Sequence, residues 1–86
     1  MNASTNGADE DITSAQVRAA RGLLGWSRDR LVDASGVPKR TVVRLEDEVT
    51  SPRAATLAAI RTALETAGVE FIAENGGGAG VRLRRE

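Results

Sequence analysis

The sequence predicts a mainly α domain, four helices followed by a C-terminal β-hairpin or strand pair. Three observations carry that expectation. Apolar residues recur at helical spacing from residue 12 to residue 67, two short helical patterns meet at the turn Gly36-Val37-Pro38, and after Gly68 the period changes from helical to alternating. A chain of 86 residues suits one small domain with a limited core, which often benefits from a partner subunit.

The first eleven residues are polar and acidic and have too little apolar surface to offset their ordering entropy, so residues 1–11 are expected to form a disordered acidic tail. The first helix opens on a capping box, Thr13 with Gln16, and Ile12 with Val17 adds a hydrophobic staple. Val17, Ala20, Leu23 and Leu24 mark its inward side. Gly22 within it costs about 1 kcal/mol relative to alanine, which predicts close packing against a neighbour.

Gly25 ends that helix. Ser27 is placed to cap the second, with Trp26 and Leu31 spaced as a staple, and Gly36 closes it. Val37 plugs the turn, and Pro38 suits the first position of a third helix, where its missing amide has no partner to lose. In that third helix, residues 38–46, Val42 and Leu45 face inward while Lys39, Arg40, Val43 and Arg44 form an outward basic stripe. A fourth helix is predicted over residues 54–67, with Leu57, Ile60 and Leu64 at i, i+3 and i+7 and Ala63 and Ala67 widening the stripe. Residues 69–71 and 81–83 alternate apolar with polar around a glycine-rich loop, so they read as two strands. An isolated hairpin is marginal in water. Val69, Phe71, Ile72, Val81 and Leu83 are therefore expected to need cover, from a second chain in a homodimer or from the helices of the same chain. The domain plan is a tail (1–11), a helical domain (12–68) and a strand pair (69–86) expected to serve dimerisation.

The helix, turn and helix from Leu24 through Glu46 resemble the helix-turn-helix of the Xre family, the phage-repressor and Cro-like regulators. The similarity runs without a gap from about residue 17 to residue 64 and includes the apolar set Leu31, Val37, Val42 and Leu45. It implies an ion pair between Arg21 and Glu46, tying the first helix to the end of the third. It also implies a transcriptional regulator, a repressor, that docks the third helix in the major groove of double-stranded DNA; pairing of the C-terminal strands across a two-fold axis would make it a dimer on a pseudo-palindromic site. In that arrangement Ser27, Arg28 and Arg53 hold phosphates, Lys39, Arg40 and Arg44 reach base edges, and Thr41 and Val43 touch backbone or a thymine methyl. Many relatives follow the glutamate with a small or basic residue and then a glycine. This chain has Asp47-Glu48, which puts negative charge where phosphates are expected.

Composition limits the alternatives. Lys plus Arg and Asp plus Glu are both 12, so the excess of positive charge common in nucleic-acid binders is absent from the whole chain. Residues 13–61 nonetheless hold nine basic and five acidic side chains. On residues alone, the basic stripe is also what a solvated helix face looks like, and a protein-binding module of the same fold, of antitoxin or antiactivator type, is the alternative reading. With no histidine and no cysteine, the commonest proton shuttle, the sulfur nucleophile, thiolate metal sites and disulfides are all missing, so no enzyme, cofactor or metal is expected. No apolar run approaches the roughly 20 residues of a membrane span, and a cytoplasmic location is expected.

Overall fold

The computed structural model describes residues 12–49 and 52–84; the acidic tail predicted over 1–11 lies outside the described residues. Four helices, α1 (Ser14–Leu24), α2 (Arg28–Ser35), α3 (Lys39–Glu46) and α4 (Ala54–Thr66), lead into two strands, β1 (Val69–Ile72) and β2 (Gly80–Leu83). The mainly α class and the C-terminal hairpin are as the sequence predicts.

The start of α1 follows from its local signals. Thr13 Oγ1 accepts from Gln16 N at 3.1 Å and Gln16 Oε1 accepts from Thr13 N at 2.9 Å, so two otherwise unpaired amides are satisfied reciprocally. Gly25 ends α1 and Gly36 ends α2, both left-handed at φ of 70° and 76°, where a side chain would be strained. Pro38 stands one position outside α3 rather than inside it. Its backbone is extended (ψ 146°) and its carbonyl accepts from the amides of Thr41 and Val42, so the helix begins at Lys39. Similarly α4 stops at Thr66, because Ala67 caps it and Gly68 turns the chain at φ 113°.

One core joins all six elements. Val17 and Ala20 of α1, Leu31 of α2, Val42 and Leu45 of α3, and Ile60, Ala63 and Leu64 of α4 are buried with Ile12, Val37 and Val69. Two expectations for α1 fail. Leu23 is 44% exposed, since it sits at the margin of the arc that Val17, Ala20 and Leu24 define. Gly22 has open space where a Cβ would stand, so nothing packs closely against it and its propensity cost is uncompensated by contact.

The strands pair antiparallel with Val69 opposite Leu83, Glu70 opposite Arg82, Phe71 opposite Val81 and Ile72 opposite Gly80. This hairpin lies on α1 and α4 of its own chain. Val69 is fully buried there, and Phe71 and Val81 pack against the core, so the cover that the sequence sought comes largely from the same molecule. Of the five residues expected to serve dimerisation, Val69 is unavailable to a partner, Ile72 is half-buried, and Leu83 is the most open at 46%. Two polar clamps hold the hairpin down. Gln16 Nε2 donates to the carbonyls of Ile72 (3.3 Å) and Gly80 (2.9 Å), and Arg84 Nη2 donates to the Glu65 carbonyl in the last turn of α4 (2.8 Å). The second contact places a cation at the negative end of a helix.

Candidate nucleic-acid interface

The surface of α3 divides as its sequence dictates. At about 100° per residue, Val42, Leu45 and Glu46 share one arc and are buried, while Arg40 and Arg44 fall on the opposite arc and are exposed; Lys39 lies near the buried arc but is exposed in the first turn. Thr41 and Val43 border the two and are half-buried. Arg40 and Arg44, at i and i+4, are neighbours on the helix surface. Among the described residues, Arg40, Arg44 and Arg53 have no ion-pair partner. Lys39 differs: its Nζ lies 2.9 Å from Asp29 Oδ1, an exposed pair that links the first turns of α2 and α3.

The inward end of α3 is fixed by charge. Glu46 has a fully buried side chain that takes both forks of Arg21, Nε to Oε2 and Nη2 to Oε1, each at 2.7 Å. Arg28 Nε adds a bond to Oε1 at 2.8 Å, and the Glu46 carbonyl accepts from Arg18 Nη1. Arg21 also donates through Nη1 to the Trp26 carbonyl at 2.9 Å, so one guanidinium ties α1, the lead-in to α2 and the end of α3 together. Burial pushes the Glu46 carboxyl up, but the hydrogen bonds from Arg21 and Arg28 together outweigh it and hold the group below the ordinary carboxylate range.

The other positions marked on sequence are placed as follows. Ser27 caps α2, its Oγ accepting from Arg30 N at 3.0 Å. Arg28, expected to hold phosphate, spends Nε on Glu46 and Nη2 on Asp47 Oδ1 (3.3 Å), and its side chain is about a third exposed. Arg53 is exposed just before α4. Asp47 and Glu48, read from sequence as bare negative charge, each meet a cation: Asp47 meets Arg28, and Glu48 Oε2 lies 3.7 Å from Arg18 Nη1. Sequence reasoning missed Arg18 and the Ser14 hydroxyl, which donates to the Leu45 carbonyl at 2.6 Å. Arg18 could have been found, because it precedes Arg21 by three residues and so shares its face of α1.

Glu48 has a second property. It is the one non-glycine at positive φ (59°) among the described residues. Val49 N donates to the Arg44 carbonyl and Glu48 N to the Leu45 carbonyl, which is the pattern of a Schellman closure with Glu48 at its left-handed position. Among the described residues no side-chain cluster suits a metal ion, and no helix is long and apolar enough to cross a membrane. No protein-family model matches the chain, and no curated protein matches it in sequence.

Two predictions follow from this geometry. Glu46→Ala leaves the Arg21 and Arg28 guanidinium groups facing each other without their anion and is expected to cost about 3 kcal/mol in urea unfolding. Arg21→Ala costs less, about 2 kcal/mol, because Arg28 still pairs the carboxylate, and replacing Arg21 and Glu46 together by apolar residues of similar volume regains much of the loss. The folded carboxyl titrates lower than the unfolded one, so the stability it supplies is complete above the unfolded value of about 4.3 and is lost as pH falls through the lower folded value. The gap between wild type and the non-titrating Glu46→Gln variant therefore narrows only below about pH 4.3; a gap constant down to pH 2 would contradict the assignment.

The other concerns Glu48. A side chain in the left-handed region costs roughly 1–2 kcal/mol, more than an exposed pair to Arg18 returns. Glu48→Gly is expected to raise the urea midpoint, whereas Glu48→Ala lowers it or leaves it unchanged.

Proposed function

We propose that this chain is a sequence-specific DNA-binding transcriptional regulator of the Xre helix-turn-helix type, a repressor that sets α3 into the major groove. The observation that carries the reading is the unpaired outward arginine pair, Arg40 and Arg44, on a short helix whose inward end is locked by Glu46. An α-helix with its side chains is about 10–12 Å across, which fits the roughly 12 Å width of the groove. Arg40 and Arg44 are the readers of base edges, with Lys39 beside them and Val43 and Thr41 at the border. Ser27, Arg28 and Arg53 serve the phosphates. Cytoplasmic placement goes with this function.

A homodimer on a pseudo-palindromic site completes the proposal. It would set two α3 helices about 34 Å apart on one side of the duplex. Leu83 and the half-buried Ile72 on the hairpin are the surface offered to the second copy. The zero net charge supports one other reading, a protein-binding module of this fold.

Arg44→Ala is expected to lower affinity for the preferred site by about 1–3 kcal/mol and to relax its base preference. Arg53→Ala is expected to weaken all sequences alike and to flatten the salt dependence of binding. Both are measured by titrating genomic fragments, beginning with the region around the chain's own gene. Discrimination unchanged by Arg44→Ala sinks the assignment of α3, and no binding at low salt favours the protein-binding module. Sedimentation of the full chain at tens of micromolar is expected to show a dimer that Leu83→Glu dissociates; a monomer removes the pseudo-palindrome from the proposal.

A further inference from the structure

On the α2 and α4 side of the molecule lies an open groove of about 580 Å³ that the DNA-binding reading leaves unused. Its floor is α4, where Ala58, Thr62 and Ala63 present side chains no larger than threonine. Its other wall is Trp26, Arg30 and Ala34. The Arg30 guanidinium lies over the Trp26 ring, 5.1 Å from its centroid, and among the described residues no carboxylate pairs with it. The groove is thus an apolar trough with one cation on its rim.

Charge and size decide what fits it. The ten lining residues include one arginine and no acid. A second copy of this chain, docked by the same patch, would bring another Arg30 and no counter-charge. The volume lies within the roughly 300–1,000 Å³ of small-molecule sites, which are lined mainly by apolar groups with a few polar ones to fix orientation. A planar body also loses little conformational freedom on binding and can pack beside Trp26.

We infer that this groove binds a small aromatic carboxylate, its ring system on the alanine floor beside Trp26 and its carboxylate on Arg30. The inference is independent of the DNA-binding reading, and its test contains no DNA. In ¹H–¹⁵N spectra of the full chain, titration with naphthoate is expected to give saturable shifts concentrated on the Trp26 indole, Ala34, Ala58 and Thr62. Naphthalenemethanol, which lacks the charge, and acetate, which lacks the ring, are expected to bind at least about tenfold more weakly, as is naphthoate to Arg30→Gln. Ala58→Phe, a change at an exposed position that fills the trough, is expected to abolish the shifts while the rest of the spectrum stays dispersed. Shifts that fail to saturate, that spread over the whole surface, that survive Ala58→Phe, or that are equal for naphthoate and naphthalenemethanol would each overturn it.

Discussion

The carboxylate of Glu46 is the charge on which the arrangement of the helices depends. An acid with no exposed side-chain surface is costly unless it is fully paired, and here two guanidinium groups from α1 and α2 converge on it. The apolar contacts of Val42 and Leu45 are non-directional and by themselves set the orientation of α3 less sharply than a hydrogen bond does. The planar fork of Arg21 accepts one orientation of the carboxylate, and through the Trp26 carbonyl the same fork fixes the entry to α2. Orientation of the outward arginines is therefore set by a contact on the other side of their helix.

The hairpin stands in a different relation to the core. Its inner residues complete the apolar interior, with Val69 fully buried and the Arg61 guanidinium over the Phe71 ring at 5.5 Å. Its ends are pinned by polar side chains of the helices and of its own tail, Gln16 at the loop end, where Ile72 faces Gly80, and Arg84 at the opposite end near α4. The outer side carries the Glu70–Arg82 pair, where hydrogen bonding from Arg82 draws the Glu70 carboxyl below its ordinary value. A sheet of two strands persists because helices supply on one face what further strands supply in larger sheets.

Much of this was legible in the sequence because its signals are local. Capping residues, the glycines at 25 and 36 and the helical spacing of apolar residues fix where helices begin and end, and these gave α1, α2, α3 and α4 to within a residue. Nonlocal facts were less accessible. Gln16 read as half of a capping box, and nothing near it in sequence announces that its amide nitrogen is buried against the hairpin. Gly22 looked like a packing glycine because that is the usual compensation for its cost, and only the fold shows open space there. The strands' apolar residues could be counted but not assigned to a partner, since the count is the same whichever surface covers them. At the candidate interface, the sequence marked the outward residues of α3 by periodicity. It did not show that Arg28 is turned toward Glu46, or that Asp47 and Glu48 are matched by cations.

The Gln16 clamp joins residues 56 and 64 positions apart, whereas Glu46 meets Arg28 across 18 and Arg21 across 25. Closing the longer loops carries the larger entropic cost, and their far ends are also the last to be synthesised. A chain emerging from its N-terminus thus has every residue of the three-helix network before it has the strand that satisfies Gln16. Until Gly80 arrives, the α1 surface under the hairpin holds a polar amide that favours water over apolar neighbours. Burying that amide against apolar neighbours is costly, so the hairpin carbonyls of Ile72 and Gly80 are the cover that suits this surface.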